Sequence, residues 1–150
     1  MRAATDTVPG LGACGVRWMN RLLVAGGTPE VYSYLFAHPP EEKLGIPGGG
    51  GGIFAPHTSE IAFVYAIPVP ALTVEEAVLA RQMCQHWLAF AKTGSPNFSG
   101  APTWPAWTPT GTGADTVMRL DVPSAGGTHV QQGLRKAACD LQDTFSHHGM

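Results

Sequence analysis

The most regular pattern of apolar and polar positions lies between residues 73 and 93 and predicts a helix. Its apolar side chains recur every three or four residues, which places them on one face of a helix. That face consists of Ala80, Met83, Cys84, Trp87, Leu88 and Ala91. Thr73 and Glu76 have the spacing of a capping box, and Gly94 is a typical residue just beyond a C-terminus. We expect the helix to pack this face, together with Phe90, against a core.

Weaker patterns predict two more helices and two strands. Residues 11–25 carry apolar side chains at helical spacing before a stop at Gly26, and residues 130–145 have a similar spacing. Residues 31–37 are rich in β-branched and aromatic residues and are apolar on both faces. This is typical of a strand in a sheet that helices cover. Residues 116–122 are the second predicted strand.

Three segments lack such a pattern. Residues 41–56 include five consecutive glycines and are predicted to form a Gly-rich loop that packs no core. Residues 95–115 are rich in Pro, Gly, Thr and Trp and are predicted to form an ordered surface loop. Residues 146–150 are predicted to be a frayed tail. No internal repeat is present, and residues 1–150 are interpreted as a single segment of one domain.

The chain is poor in charge for a protein of its size. Its 150 residues are enough for one ordinary domain. Apolar residues make up 44% and charged residues 13%, whereas about a quarter charged is usual. This balance favours a surface that is partly covered by other protein. The net charge of −2, with scattered Lys and Arg, includes no basic stripe or patch, so we expect no nucleic-acid partner and no membrane partner.

Signals for targeting and for metal binding are missing from the sequence. No apolar run approaches 18 residues, which predicts no transmembrane helix, and the N-terminus lacks the apolar region of a signal peptide. The localisation is unknown from these signals, and cytoplasmic is taken as the default expectation. The six histidines show neither H-x-x-x-H nor H-E-x-x-H spacing, so we predict no metal and no cofactor.

Three segments carry a more specific signal. They are VYSYLFAH at residues 31–38, APHTSEIAFVY at residues 55–65, and the helix pattern of residues 73–97, which ends in WLAFAKTGSPN. In order and spacing they resemble the type-B carboxylesterase family, the cholinesterase-like branch of the α/β-hydrolases. The resemblance implies an α/β protein that forms the C-terminal part of an α/β-hydrolase fold. Such a part would hold the last strands and helices of a mostly parallel sheet and would be incomplete on its own.

The same resemblance assigns a candidate site. In that family the His of an H-x-x-E segment is the catalytic base, which implies that His57 is the catalytic residue and that Glu60 is a carboxylate close to it. Thr58 stands where animal members of the family often have Gly. Without the resemblance, a His in a Pro-flanked loop would be interpreted as a solvated or structural residue.

The other parts of a serine-hydrolase site are missing from the sequence. α/β-Hydrolases attack the ester with a serine in a G-x-S-x-G segment, and their chain order is Ser, then Asp or Glu, then His. None of the six serines, Ser59 included, has that context, and no Gly-Gly oxyanion segment is recognisable. Asp6 is interpreted as a loop or helix-cap carboxylate rather than as the triad acid. We therefore expect this chain to be inactive by itself.

Cysteine and tryptophan residues have two interpretations each. The resemblance implies a long-range disulfide near Cys14 and Cys139, but three cysteines without a signal peptide favour free thiols as the default. Trp104 and Trp107 could line an ester-binding wall, but the simpler interpretation is a loop that covers the fold.

The sequence leaves three functional hypotheses open. The first is a part of a serine esterase that hydrolyses small-molecule carboxylic esters with His57 as the base. The second is a non-catalytic pseudoenzyme or protein-interaction module of the same fold. The third is half of a split hydrolase whose partner is an N-terminal half-chain. Because apolar faces and sheet edges would be left uncovered, the isolated chain is also expected to be prone to self-association.

Overall fold

The computed structural model describes residues 12–40, 55, 58–66, 72–111 and 114–146. Within these ranges the α-helices are α1 (Ala13–Ala25), α2 (Ile61–Val64), α3 (Val74–Thr93) and α4 (Lys136–Ser146). The strands are β1 (Tyr34–Phe36), β2 (Thr116–Leu120) and β3 (His129–Gln132), and a short 3₁₀ helix covers Pro123–Ala125. Asp6, His57, most of the predicted loop at 41–56 and residues 147–150 of the predicted tail lie outside the described residues.

The strands form one sheet in the order β1-β2-β3, with β2 in the middle. β1 runs parallel to β2, with Tyr34 opposite Met118 and Phe36 opposite Leu120. The backbone N–H of Ala37 extends this pairing by donating to the carbonyl of Leu120 at 3.0 Å. Met118 and Leu120 are fully buried, as expected for a strand of a parallel sheet between helices. The predicted strand at 31–37 is therefore confirmed, but only over its last part.

The chain divides into two compact units, one of residues 1–33, 105–117 and 131–150 and the other of residues 34–104 and 118–130. In the first unit, α1 packs against α4, and a disulfide joins Cys14 to Cys139 across 125 positions of sequence. The default expectation of two free thiols is therefore wrong. Packing of the two helices brings the Cα atoms to 5.0 Å, which is within disulfide range. Cys84 is a free, half-buried thiol.

The inward face of α1 is polar, contrary to the apolar pattern read from its sequence. Arg17 is buried and its guanidinium contacts three carboxylates, Asp140 at 2.6 Å, Asp143 at 3.3 Å and Asp115 at 3.4 Å. Hydrogen bonds from Lys136 and from Arg17 lower the pKa of Asp140. The apolar side chains point outward instead. They are Val16, Trp18, Met19, Leu22 and Leu23, all of which are exposed.

Helix α3 has the predicted ends but only part of the predicted face, of which Ala80 and Met83 are buried. The capping box between Thr73 and Glu76 is present, and Gly94 adopts the left-handed conformation beyond the last turn. The buried residues of the helix are Glu76, Leu79, Ala80, Met83 and His86. Leu88 and Phe90 are half exposed, so their predicted core positions are wrong. The face is rotated because Glu76 and His86 both find polar partners inside the fold.

The segment after β2 also differs from the prediction. Residues 129–132 form β3, whereas Val130 was expected to begin the last helix, which starts only at Lys136. Two positive φ angles, 63° at Gly133 and 55° at Arg135, separate strand from helix. The N–H of Gly133 donates to the carbonyl of Asp115 at 3.2 Å, a contact that a local helical pattern cannot reveal.

Across the described ranges, no helix is both long enough and apolar enough to cross a bilayer.

Candidate functional site

The described part of the predicted site is a tight turn, residues 58–60, that leads directly into α2. Thr58 has a φ of 72°, in the left-handed region. A β-branched residue is a rare occupant of that region, and such a conformation costs roughly 1–3 kcal/mol. Thr58 is also the position at which the family resemblance points to Gly. The backbone beside His57 is therefore under strain, and the surrounding structure must maintain it.

Backbone hydrogen bonds and one buried ring hold this turn. The carbonyl of Thr58 accepts from the N–H of Ile61 at 3.2 Å, and the carbonyl of Glu60 accepts from Phe63 at 3.0 Å and Val64 at 2.9 Å. The ring of Phe63 is fully buried and lies 5.1 Å from the ring of Phe36 on β1. α2 also packs against α3. The turn is thus attached to the end of a sheet strand.

Glu60 is half buried and acts electrostatically on Tyr34 of β1. Burial raises the pKa of the Tyr34 phenol, and the negative charge of Glu60 raises it further. The second predicted site residue therefore lies in the neighbourhood of β1, on the same turn that follows His57.

An aromatic cluster surrounds Tyr34. Its ring centroid lies 5.1 Å from that of Trp87 and 6.3 Å from that of Trp104, both in edge-on geometry. Trp104 is buried, and Asn97 clamps its backbone by accepting from the N–H at 2.7 Å and donating to the carbonyl at 3.0 Å. These contacts are those of a packed loop, in keeping with the simpler of the two interpretations of Trp104.

His86 lies on the buried side of α3 and packs against the same cluster. Its ring lies 4.8 Å from Phe98 and 5.2 Å from Trp104, and it is fully buried. Nδ1 lies 2.8 Å from the carbonyl of Pro96, so this nitrogen must carry a proton and donate. Burial lowers the pKa of His86, although the carbonyl of Pro96 acts in the opposite direction.

Sequence reasoning missed a buried group beside the turn that consists of His38, Glu76 and Asp121. Nε2 of His38 lies 2.9 Å from a carboxylate oxygen of Glu76, and Nδ1 lies 3.7 Å from one of Asp121. His38 follows β1 and Asp121 follows β2. The carboxyl ends of parallel strands meet at one edge of a sheet. A polar residue directly after each strand was therefore the sequence signal that could have revealed this group.

Ser59 lies in the turn but has no exposed hydroxyl. The residue is completely buried, and within the described part of the chain its Oγ has no hydrogen-bond partner. A buried hydroxyl cannot meet an ester from solvent, which agrees with the sequence-based exclusion of Ser59 as nucleophile. Among the same described residues, no cluster of three or more His, Cys, Asp or Glu side chains could hold a metal ion.

Comparisons with known proteins agree with the segments discussed above. The profile of the Carboxylesterase family matches residues 7–142. Acetylcholinesterase of Gallus gallus is 36% identical over 155 residues, covering 96% of this chain and 18% of that protein. Carboxylesterase 5A of Felis catus is 32% identical, covering 71% of this chain and 20% of that protein. The medium-chain fatty acyl-CoA hydrolase precursor of Anas platyrhynchos is 40% identical, covering 54% of this chain and 14% of that protein.

The chain therefore spans about a fifth or less of the length of these curated relatives. The family match nevertheless covers most of the chain, including the H-x-x-E segment and the capped helix. The small sheet and its flanking helices fit the α/β-hydrolase fold that the family implies. On these grounds the chain belongs to the carboxylesterase family.

Proposed function

We propose that this chain is the C-terminal part of a type-B carboxylesterase and supplies His57 as the general base for the hydrolysis of carboxylic esters. The observation that carries the proposal is the position of the H-x-x-E segment. It lies within the family match, and its described residues form a strained turn attached through Phe63 to the end of β1. In open α/β sheets, active sites occupy this edge, outside the carboxyl ends of the strands.

The chemistry assigned to His57 is proton transfer in two steps. It takes the proton of a serine hydroxyl as the oxygen attacks the ester carbonyl, and it returns that proton to the departing alcohol. The acyl-enzyme is then hydrolysed by a water that His57 activates in the same way. Glu60 contributes a negative charge beside the site, which favours the protonated imidazole without touching the reacting atoms.

The serine, the triad acid and the oxyanion donors are supplied by the rest of the complete enzyme. Loss of one oxyanion donor alone typically lowers the rate by about 10²–10³. We therefore expect this chain by itself to be inactive towards esters, even with His57 in place.

The exposed apolar face of α1 supports a protein partner for this chain. Trp18 and Leu22 are each 48% exposed, while the polar residues Arg17 and Asn20 are buried on the same helix. A contiguous exposed apolar face usually marks an interaction surface. The partner we propose is the remaining part of a carboxylesterase domain, in a longer chain or as an N-terminal half-chain. Self-association of the isolated chain would use the same face.

The function is tested by hydrolysis of p-nitrophenyl acetate and butyrate, together with labelling by a fluorophosphonate probe. The purified chain should match its His57→Ala variant and remain unlabelled. Addition of a carboxylesterase N-terminal polypeptide that contains a G-x-S-x-G segment should produce turnover that His57→Ala abolishes. A stable complex without turnover would favour the non-catalytic interaction module instead. Labelling of this chain alone would contradict the absence of a nucleophile.

A further inference from the structure

The buried group of His38, Glu76 and Asp121, here called the His38 cluster, joins three elements at one edge of the sheet. His38 follows β1, Asp121 follows β2, and Glu76 lies in the first turn of α3. Their exposed fractions are 7%, 3% and 1%, so all three polar side chains are removed from water. Burial of a polar group costs free energy unless the group is hydrogen-bonded. The partners of each group therefore indicate what keeps it in place.

The imidazole of His38 is hydrogen-bonded through Nε2, whereas Nδ1 lies near a second carboxylate without a hydrogen bond in the described part of the chain. A carboxylate can only accept, so Nε2 donates to Oε1 of Glu76 at 2.9 Å, and Nδ1 faces Oδ1 of Asp121 at 3.7 Å. The carboxylates are themselves fixed. Glu76 accepts from the N–H of Thr73 at 2.8 Å, and Asp121 accepts from Val122 at 2.9 Å and Arg119 at 2.7 Å. The His38 ring is therefore bonded to a carboxylate that is itself held in place.

That ring supports the helix behind the candidate site. It meets the ring of Phe63 edge-on, with centroids 5.8 Å apart, and Phe63 is fully buried against Phe36 as well. Phe63 belongs to α2, and its N–H donates to the carbonyl of Glu60. A continuous set of contacts thus leads from Glu76 through His38 and Phe63 to the residue that ends the strained turn.

Strain of the kind seen at Thr58 persists only where neighbouring structure over-determines the backbone. Phe63 is the anchored residue on the C-terminal side of this turn. We infer that His38 is a positioning residue: held by Glu76, it fixes α2 and so maintains the turn that carries Glu60 directly after His57. Its importance for catalysis rests on the proposed function, but its effect on the turn does not.

Hydrogen exchange measured residue by residue tests this inference on the intact 150-residue chain. In a His38→Gln variant, the amides of Phe63, Val64 and Tyr65 should exchange about tenfold faster or more, because α2 opens locally. The amides of α1, which the disulfide secures, should keep their wild-type rates. The matched control is His86→Gln, which removes another buried histidine and should leave the α2 amides unchanged.

A rescue experiment separates positioning from a purely structural role. If His38 maintains the strain at Thr58, then Thr58→Gly should return the α2 amides of the His38→Gln protein to within about threefold of wild type, since Gly adopts the turn without strain. If His38→Gln does not fold, the same two measurements are made on Glu76→Gln, which keeps the shape of the capping residue but weakens the bond to His38.

Equal acceleration in α1 and α2, an unchanged α2, or a failure of Thr58→Gly to rescue would each overturn the inference. None of these readouts requires turnover, so an inactive protein does not affect the result. Conversely, loss of ester hydrolysis by an assembled enzyme tests the proposed function without reference to His38.

Discussion

At the scale of single residues, two residues are in environments that are energetically unfavourable for their type. Thr58 has a left-handed backbone that suits Gly, and His86 is a fully buried imidazole among aromatic rings. Each has a measurable consequence for stability. Neither position could be recognised from local sequence, since φ and burial are set by what surrounds the residue.

Replacement of Thr58 by Gly should stabilise the protein. Relief of a left-handed non-Gly residue is worth roughly 1–2 kcal/mol, and the greater freedom of Gly in the unfolded chain offsets about 0.5–1 kcal/mol of that. The free energy of unfolding from urea titration should therefore rise by about 0.5–1 kcal/mol. Thr58→Ala is the control, because it removes the side chain but keeps the strain. Stabilisation of equal size in both variants would contradict this explanation.

The buried His86 should make stability fall in mildly acidic solution. Burial lowers its pKa in the folded protein below the usual value of about 6.5, which the unfolded chain retains. Below that value the unfolded state binds more protons, so stability present at neutral pH is lost as the pH falls towards the folded pKa. Urea midpoints of the wild type and His86→Gln, compared from about pH 7.5 to 5.5, should show a shallower dependence in the variant. Parallel curves would exclude His86 as the cause.

At the scale of elements, the ends of α3 were predictable and its orientation was not. A capping box involves residues three apart and a Gly stop involves one backbone angle, so both are visible in sequence. Which face of the helix is buried depends on partners far along the chain. Glu76 accepts a hydrogen bond from His38, and His86 donates one from Nδ1 to the carbonyl of Pro96, so both polar groups can be buried.

The capping interaction gives the prediction at this scale. Thr73→Ala removes the hydroxyl that accepts from the N–H of Glu76, which should cost about 1 kcal/mol of unfolding free energy. Thr93→Ala, the same change in the last turn of α3, removes hydrogen bonds of an exposed hydroxyl and should cost less than Thr73→Ala. Equal losses at both ends, measured by urea titration, would show that the effect is not one of capping.

At the scale of the whole molecule, the long-range disulfide joins two distant parts of the chain. It closes a loop of 125 positions, and the chain-entropy relation gives about 5 kcal/mol of stabilisation for a loop of that length. We expect reduction, or Cys14→Ser with Cys139→Ser, to lower the unfolding free energy by about 2–5 kcal/mol.

The remaining cysteine provides the control for this prediction. Cys84→Ser removes a free, half-buried thiol on α3 and should retain the response to reductant. If reduction leaves the urea midpoint of the wild type unchanged, the two thiols are not joined in solution.

The sequence alone determined the family, the α/β class and the local signals: the capping box, the Gly stop and the H-x-x-E segment. Those features depend on residues that are neighbours in the chain. The tertiary structure decided the pairing of Cys14 with Cys139, the outward apolar face of α1, strand β3 and the His38 cluster. Each of these joins groups that are distant in sequence, and the free energy of such contacts appears only once the chain has brought them together.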